Sequence, residues 1–168
     1  MIQVRVAGVA LDPTGQHVIL LKPIDEIPGE GRLLPIWIGQ QEATSILIAV
    51  EGAMAPRPLA HDLMRSLLDA VDATVTGIAV TRIEEGTFYA EVTLSTTLGE
   101  RIVDSRPSDA VALASRVAAP MWVAEAVMAD AGVPDNITEN EEAEERLDEF
   151  KRFLEDVDPD DFAGDPPR

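Results

Sequence analysis

The sequence predicts an α+β domain, with a largely antiparallel or mixed sheet packed against helices. Three observations predict it: long stretches in which apolar and polar residues alternate, shorter stretches with apolar residues at helical spacing, and an order that mixes the two without a regular βαβ rhythm. With 168 residues, 46% of them hydrophobic, the chain can bury one sizeable core. We therefore expect one compact domain over residues 1–133, followed by an acidic extension over residues 134–168.

The opening "IQVRVAGVAL" alternates Ile2, Val4 and Val6 with Gln3 and Arg5, the period of a half-buried strand. "DPTG" at 12–15 supplies turn chemistry, and "QHVILLKP" reads as the returning strand of a hairpin. A loop rich in Gly, Pro and acid, "IDEIPGEGR", leads into "LLPIWIG", whose wholly apolar run suggests a central strand. Gly39 ends it. "QQEATSILIAVEG" then places Ala43, Ile46, Leu47 and Val50 at helical spacing and closes at Gly52. A second helix fits "RPLAHDLMRSLLDAVDA", with Leu59, Leu63, Leu67 and Leu68 or Val71 on one face. "TVTGIAVTRIEE" and "GTFYAEVTLSTT" form an antiparallel hairpin about Glu85-Gly86. "ERIVDS" is a short strand, "RPSDAVALASRVA" a third helix, "PMWVA" another short strand, and "EAVMADAG" a last turn or two of helix.

Beyond Pro134 the composition changes. Residues 135–168 carry 14 acidic and 4 basic side chains. "NITENEEAEERLDEFKRFLEDV" fits an amphipathic helix through Leu147, Phe150 and Leu154, and "DPDDFAGDPPR" reads as disordered. There is no convincing internal repeat.

Composition excludes several chemistries. With no cysteine, disulfides, thiolate zinc sites, thiol nucleophiles and iron–sulfur clusters are ruled out, and any metal must be held by oxygen or imidazole. "MIQVRVAGVALD" lacks the parts of a secretory signal, and no apolar run approaches the roughly 20 residues of a membrane span, so a soluble, cytoplasmic protein without a membrane partner is expected. A net charge of −18 argues against tight sequence-independent binding of nucleic acid, which relies on Lys and Arg displacing counterions. It leaves room for a hydrolase that holds its substrate through a divalent cation.

Polar residues gather where strands hand over to helices. In "DSRPSDA", Pro107 suits the first turn of a helix because its missing N–H costs least there, and Asp109 in that turn meets the positive end of the helix dipole. This architectural reading leaves Asp104 and Arg106 unexplained. A second Arg-Pro pair, Arg57-Pro58, precedes His61 and Asp62, and a lone helical His is ordinarily a surface or capped residue. Glu42 opens the helix after "LPIWIG", where a helix-start carboxylate has a routine electrostatic explanation. Glu42, Asp104 and Asp109 are hard oxygen ligands, and Arg57 and Arg106 are planar donors for phosphate or carboxylate. Those are the parts of metal-assisted phosphodiester hydrolysis. None of the standard local signatures is present: no Walker A loop, no H-E-x-x-H, no G-x-S-x-G and no dinucleotide fingerprint.

The strings "LPIWIGQQEATSI", "RPLAHDLM", "YAEV" and "DSRPSDAVALA", in this order, resemble the bifunctional nuclease domain of many bacteria and some plant proteins. The resemblance spans roughly residues 1–133. It implies a compact α+β domain and metal-assisted cleavage of both RNA and DNA. The matching positions are Gly39, Gln40 and Glu42, then Arg57, Pro58, His61 and Asp62, then Asp104, Arg106, Pro107, Ser108 and Asp109. Many bacterial relatives carry a different C-terminal extension, and the acidic tail stands in its place here.

The leading expectation is a nuclease in which Asp104 and Asp109, with Glu42 as a third carboxylate, hold Mg²⁺ or Mn²⁺. Arg106 and Arg57 bind the phosphate, and His61, whose ordinary pKa lies near neutrality, shuttles the proton. The rival is a non-catalytic module that binds an anionic metabolite or a partner carboxylate. A third reading makes both Arg-Pro junctions structural, with the arginines paired to carboxylates inside a homo-oligomer interface.

Overall fold

A computed structural model describes residues 1–135. The expected amphipathic helix and disordered end of the tail lie outside them. The described residues form β1 (Ile2–Leu11), β2 (His17–Pro23), β3 (Arg32–Ile38), α1 (Gln40–Val50), α2 (Ala60–Ala70), β4 (Thr74–Glu84), β5 (Thr87–Thr96), β6 (Gly99–Ser105), α3 (Pro107–Val117), β7 (Met121–Val123), α4 (Glu125–Ala131) and β8 (Val133–Pro134). They are arranged as an α+β domain with a mixed sheet, in the order β6-β5-β4-β7-β1-β2-β3-β8.

Every strand pair is antiparallel except β4 with β7. Local hairpins explain this bias, because a tight turn can only return the chain alongside itself. In the first, the Asp12 carboxylate accepts the N–H groups of Thr14 and Gln16. In the second, Glu85 and Gly86 both take positive φ, 50° and 79°, the pattern that matches strand twist in a two-residue turn. The short β7 is the joint: it pairs β1 on one side and β4 on the other, uniting two meanders into one sheet.

β3 is not the central strand that its apolar run suggested. It lies one place from the edge, beyond which only the two-residue β8 pairs with Arg32 and Leu33. The run's apolar residues divide between the two faces, and Trp37 on the second is exposed. Leu34 and Ile36 enter the main core, whereas Leu33 joins Val18 and Leu20 in a small cluster on the other face.

The main core lies between the sheet and the helices. α3 is its keystone, burying Ala110, Val111, Ala112, Leu113 and Ala114. Burial of Val111 and Leu113 contributes about 1.5–3 kcal/mol each. The alanines let α1 and α2 approach α3 closely, while α3 itself rests on β4 and β5. α1 contributes Ala43, Ile46 and Leu47 as expected, but Val50 is exposed.

α2 docks differently from its apolar pattern. Leu63, Leu67 and Val71 are exposed, and the helix instead buries His61, with Leu68 packed against the core. A buried imidazole is tolerated only where its ring nitrogens find partners. α1 and α3 supply both.

The folded body extends through Asp135. Its carboxylate accepts from the Lys22 ammonium at 2.5 Å and from the Gly29 N–H at 3.0 Å, tying the segment after β8 to the loop that precedes β3. Among the described residues, no helix is long and apolar enough to cross a membrane.

Candidate functional site

Three helix starts converge on one polar cluster. Arg106 occupies the N-cap position of α3, and Pro107 begins the helix where its missing N–H is harmless. One turn later, Asp109 faces back to the same arginine. The Arg106 guanidinium grips Asp109 with two N–H groups, Nε to Oδ2 at 2.8 Å and Nη2 to Oδ1 at 3.1 Å. Its Nη1 reaches Glu42 Oε1 at 3.0 Å, linking the starts of α3 and α1. At 65% exposure of its side chain, Arg106 keeps its remaining N–H groups open to solvent.

α2 brings in His61, which is 6% exposed. Its Nε2–H donates to Asp109 Oδ1 at 3.0 Å, and in the neutral ring Nδ1 accepts the Ser45 hydroxyl at 2.8 Å. Behind it, Arg116 donates Nε to Asp62 at 2.7 Å and Nη1 to the Ser45 and Ala112 carbonyls. Asp62 also accepts the Leu59 N–H, which starts α2. One continuous chain of charge-assisted hydrogen bonds therefore fixes α1, α2 and α3 relative to one another.

The carboxylates respond to this setting. Burial pushes the Asp109 carboxyl up, but hydrogen bonds from Arg106 and His61, together with the charge of the Arg106 guanidinium, outweigh it and hold it below the usual carboxylate range. Asp62 follows the same pattern, with burial opposed by Arg116 and the Leu59 N–H. Both stay ionised at neutral pH.

An open cleft of about 460 Å³ adjoins the cluster. Arg106, Pro107 and Ser108 border it on one side, with Ile36–Gly39 from the end of β3 and Gly86–Phe88 from the start of β5 on the others. β3 and β5 stand far apart in the strand order, so the sheet curls until its two halves face each other across the start of α3.

The structure brings together four of the six expected site residues: Glu42, His61, Arg106 and Asp109. Asp104 is elsewhere. Its register partner is Glu91, one step from the pair Ser105 and Ala90. Ala90 is buried beneath the helices, so strand alternation sends Asp104 to the opposite face. Arg57 is exposed in the loop before α2 and forms no hydrogen bond or ion pair among the described residues. Ser45 and Arg116 were not expected at the site. A serine in mid-helix and an arginine in the last turn of a helix carry no local signal of a shared partner.

The donor set does not fit the expected Mg²⁺ or Mn²⁺ as it stands. Among the described residues, no three Asp, Glu or His side chains converge on one point. Both Asp109 oxygens are hydrogen-bonded, and Glu42 and Asp109 already share one cation, the Arg106 guanidinium. Arg106 thus already supplies the positive charge between these carboxylates.

Fold and site define an α+β protein with an arginine–carboxylate–histidine cluster at the mouth of an open cleft, the parts of a site for an anionic group. Residues 20–136 match the model of the bifunctional nuclease domain, and the chain belongs to that family. It is 42% identical over 166 residues to an uncharacterized protein of Mycobacterium tuberculosis, covering 95% of this chain and 97% of that one. It is 26% identical over 115 residues to bifunctional nuclease 1 of Oryza sativa subsp. japonica, covering 67% of this chain and 34% of the rice protein. A protein of Oryza minuta called bifunctional nuclease matches to the same extent. The family takes its name from a nuclease domain, and the rice proteins are named nucleases.

Proposed function

We propose that the chain hydrolyses phosphodiester bonds of RNA and DNA in the cleft at the start of α3. The observation that carries this reading is Arg106, held by Glu42 and Asp109 yet open to solvent beside that cleft. Its free N–H groups would neutralise the charge that develops on the phosphoryl oxygens. Glu42 uses Oε1 for Arg106, leaving Oε2 to take the proton of an attacking water. Asp109 fixes the plane of the guanidinium, and His61 fixes Asp109. Because both His61 nitrogens are engaged and the ring is buried, we assign it a positioning role in place of the expected proton shuttle.

The test is cleavage of single-stranded RNA and DNA by the wild type, Arg106→Ala and Glu42→Gln, each with Mg²⁺, Mn²⁺ or chelator. We expect both variants to stay folded and to lose about 10²- to 10³-fold in turnover, the usual cost of one preorganised electrostatic group. Equal traces in all three preparations would sink the reading. The chelator arm examines the expected divalent cation. Turnover in chelator leaves charge neutralisation to Arg106, and loss of turnover in chelator alone brings a divalent cation into the reaction.

One observation favours the rival, an anion-binding module without turnover: Asp109 and His61 have no oxygen or ring nitrogen left unbonded for proton transfer. Thermal stabilisation by an anionic ligand, with no cleavage in any arm, would identify it.

A further inference from the structure

We propose that the cleft beside Arg106 is a subsite for one unstacked nucleotide, so that the protein engages single strands and rejects duplex. The proposal rests on the nucleic-acid reading of the same site and names the part of the substrate that the cleft holds. At about 460 Å³ the cleft lies within the size range of small-ligand sites, roughly 300–1,000 Å³, and suits a base with its sugar and phosphate.

Its lining divides into two halves. One is apolar: Phe88 and Ile38, both half-buried, present an aromatic ring and a branched side chain over the buried Ile36. Phe88 shares the helix-covered face of the sheet with Ala90, yet it lies beyond the start of α3 and is only half-buried. A base stacked there would cover apolar surface that the fold leaves open. Any base has a π face to offer, so such a platform tolerates sequence.

The other half is polar. Ser108 lines the cleft at the first turn of α3. Its hydroxyl can donate to a phosphate oxygen held there. Arg106 adds charge from the same border. Three of its five N–H groups bond Asp109 and Glu42, and the others remain for the ligand.

Charge explains why stacking must carry the affinity. The chain is strongly acidic, and Arg106 is already flanked by two carboxylates, so counterion release contributes little. In a duplex the base faces are stacked on neighbours and closed to Phe88. A single strand exposes them.

The experiment measures binding of a short fluorescein-labelled single-stranded oligodeoxynucleotide by anisotropy, in chelator, beside the same strand in duplex and an abasic strand of equal length. Phe88→Leu keeps the apolar contact and removes the ring face; Ser108→Ala removes the hydroxyl with little change of shape. We expect Phe88→Leu to weaken the normal strand about tenfold and leave the abasic strand unchanged, in line with aromatic–base stacking. Ser108→Ala should weaken both strands, and duplex should bind least. Equal affinity for single strand and duplex would overturn the proposal, as would a Phe88→Leu variant that binds like wild type. Cleavage of the same strands separates the two readings. Phe88-dependent binding without cleavage removes the nuclease reading and keeps the subsite. Cleavage with wild-type kinetics in Phe88→Leu removes the subsite and keeps the nuclease.

Discussion

The Lys22–Asp135 pair offers the sharpest test of how the body is closed. Lys22 is 1% and Asp135 2% exposed, and they meet at 2.5 Å. Lys22 also donates to the Glu30 carbonyl at 2.6 Å, and Asp135 accepts the Gly29 N–H at 3.0 Å. Replacing Asp135 with Leu leaves an ammonium in an apolar setting with one neutral acceptor. Breaking a buried pair from one side costs about 3–5 kcal/mol. A domain of this size has roughly 5–15 kcal/mol in total, so a large share of its stability is at stake. At about 2–4 °C per kcal/mol the melting temperature should fall by roughly 6–20 °C. The double variant Lys22→Met, Asp135→Leu removes both charges and replaces them with apolar volume, and should recover most of the loss, because the desolvation cost disappears with the attraction. Thermal and urea unfolding of wild type, both single variants and the double variant complete the cycle. The reasoning fails if Asp135→Leu melts within about 1 kcal/mol of wild type, or if the double variant is as unstable as the two single losses added together.

Three further outcomes follow from the site. Asp109 and Asp62 have folded pKa values held below the ordinary carboxylate value of 3.8, so the stability they confer is complete above that value and is lost as pH falls through their folded values. Unfolding free energy should therefore stay level in this respect from neutrality to about pH 5 and fall below about pH 4, and Asp109→Asn should make that acid limb shallower in a pH series of urea melts. Ser45→Ala deprives a buried ring nitrogen of its donor, and should cost about 1–3 kcal/mol, read by the same melts. A Cβ on Gly39 would collide with the Glu42 carboxylate, the movable end of a flexible side chain. Gly39→Ala should leave the melting temperature nearly unchanged while displacing Glu42 from Arg106, so that turnover falls with the fold intact; turnover at the wild-type level would show that the Glu42–Arg106 contact is dispensable.

Much of this protein was legible in the sequence because strands, turns and helix starts obey local rules. Alternation marked β1, β4 and β5, Glu85-Gly86 between two alternating runs marked the β4–β5 turn, and Arg106-Pro107 marked the start of α3. The motif strings led to the family, and Glu42, His61, Arg106 and Asp109 were named as site residues along with Asp104 and Arg57, which lie outside the cluster.

What the sequence could not decide was which faces meet. The apolar stripe of α2 pointed inward on periodicity alone, but the helix turns His61 and Asp62 inward instead, because Ser45, Asp109 and Arg116 await them on α1 and α3. Asp104 and Asp109 are five residues apart and looked like one ligand pair. The strand carrying Asp104 alternates, the helix carrying Asp109 rotates, and the two carboxylates leave on different faces. Arg106 then pairs with Asp109 within its own helix and with Glu42 across 64 positions of sequence. Local backbone geometry is encoded residue by residue, whereas a partner so distant is chosen only when the sheet curls and brings two helix starts to the same cleft.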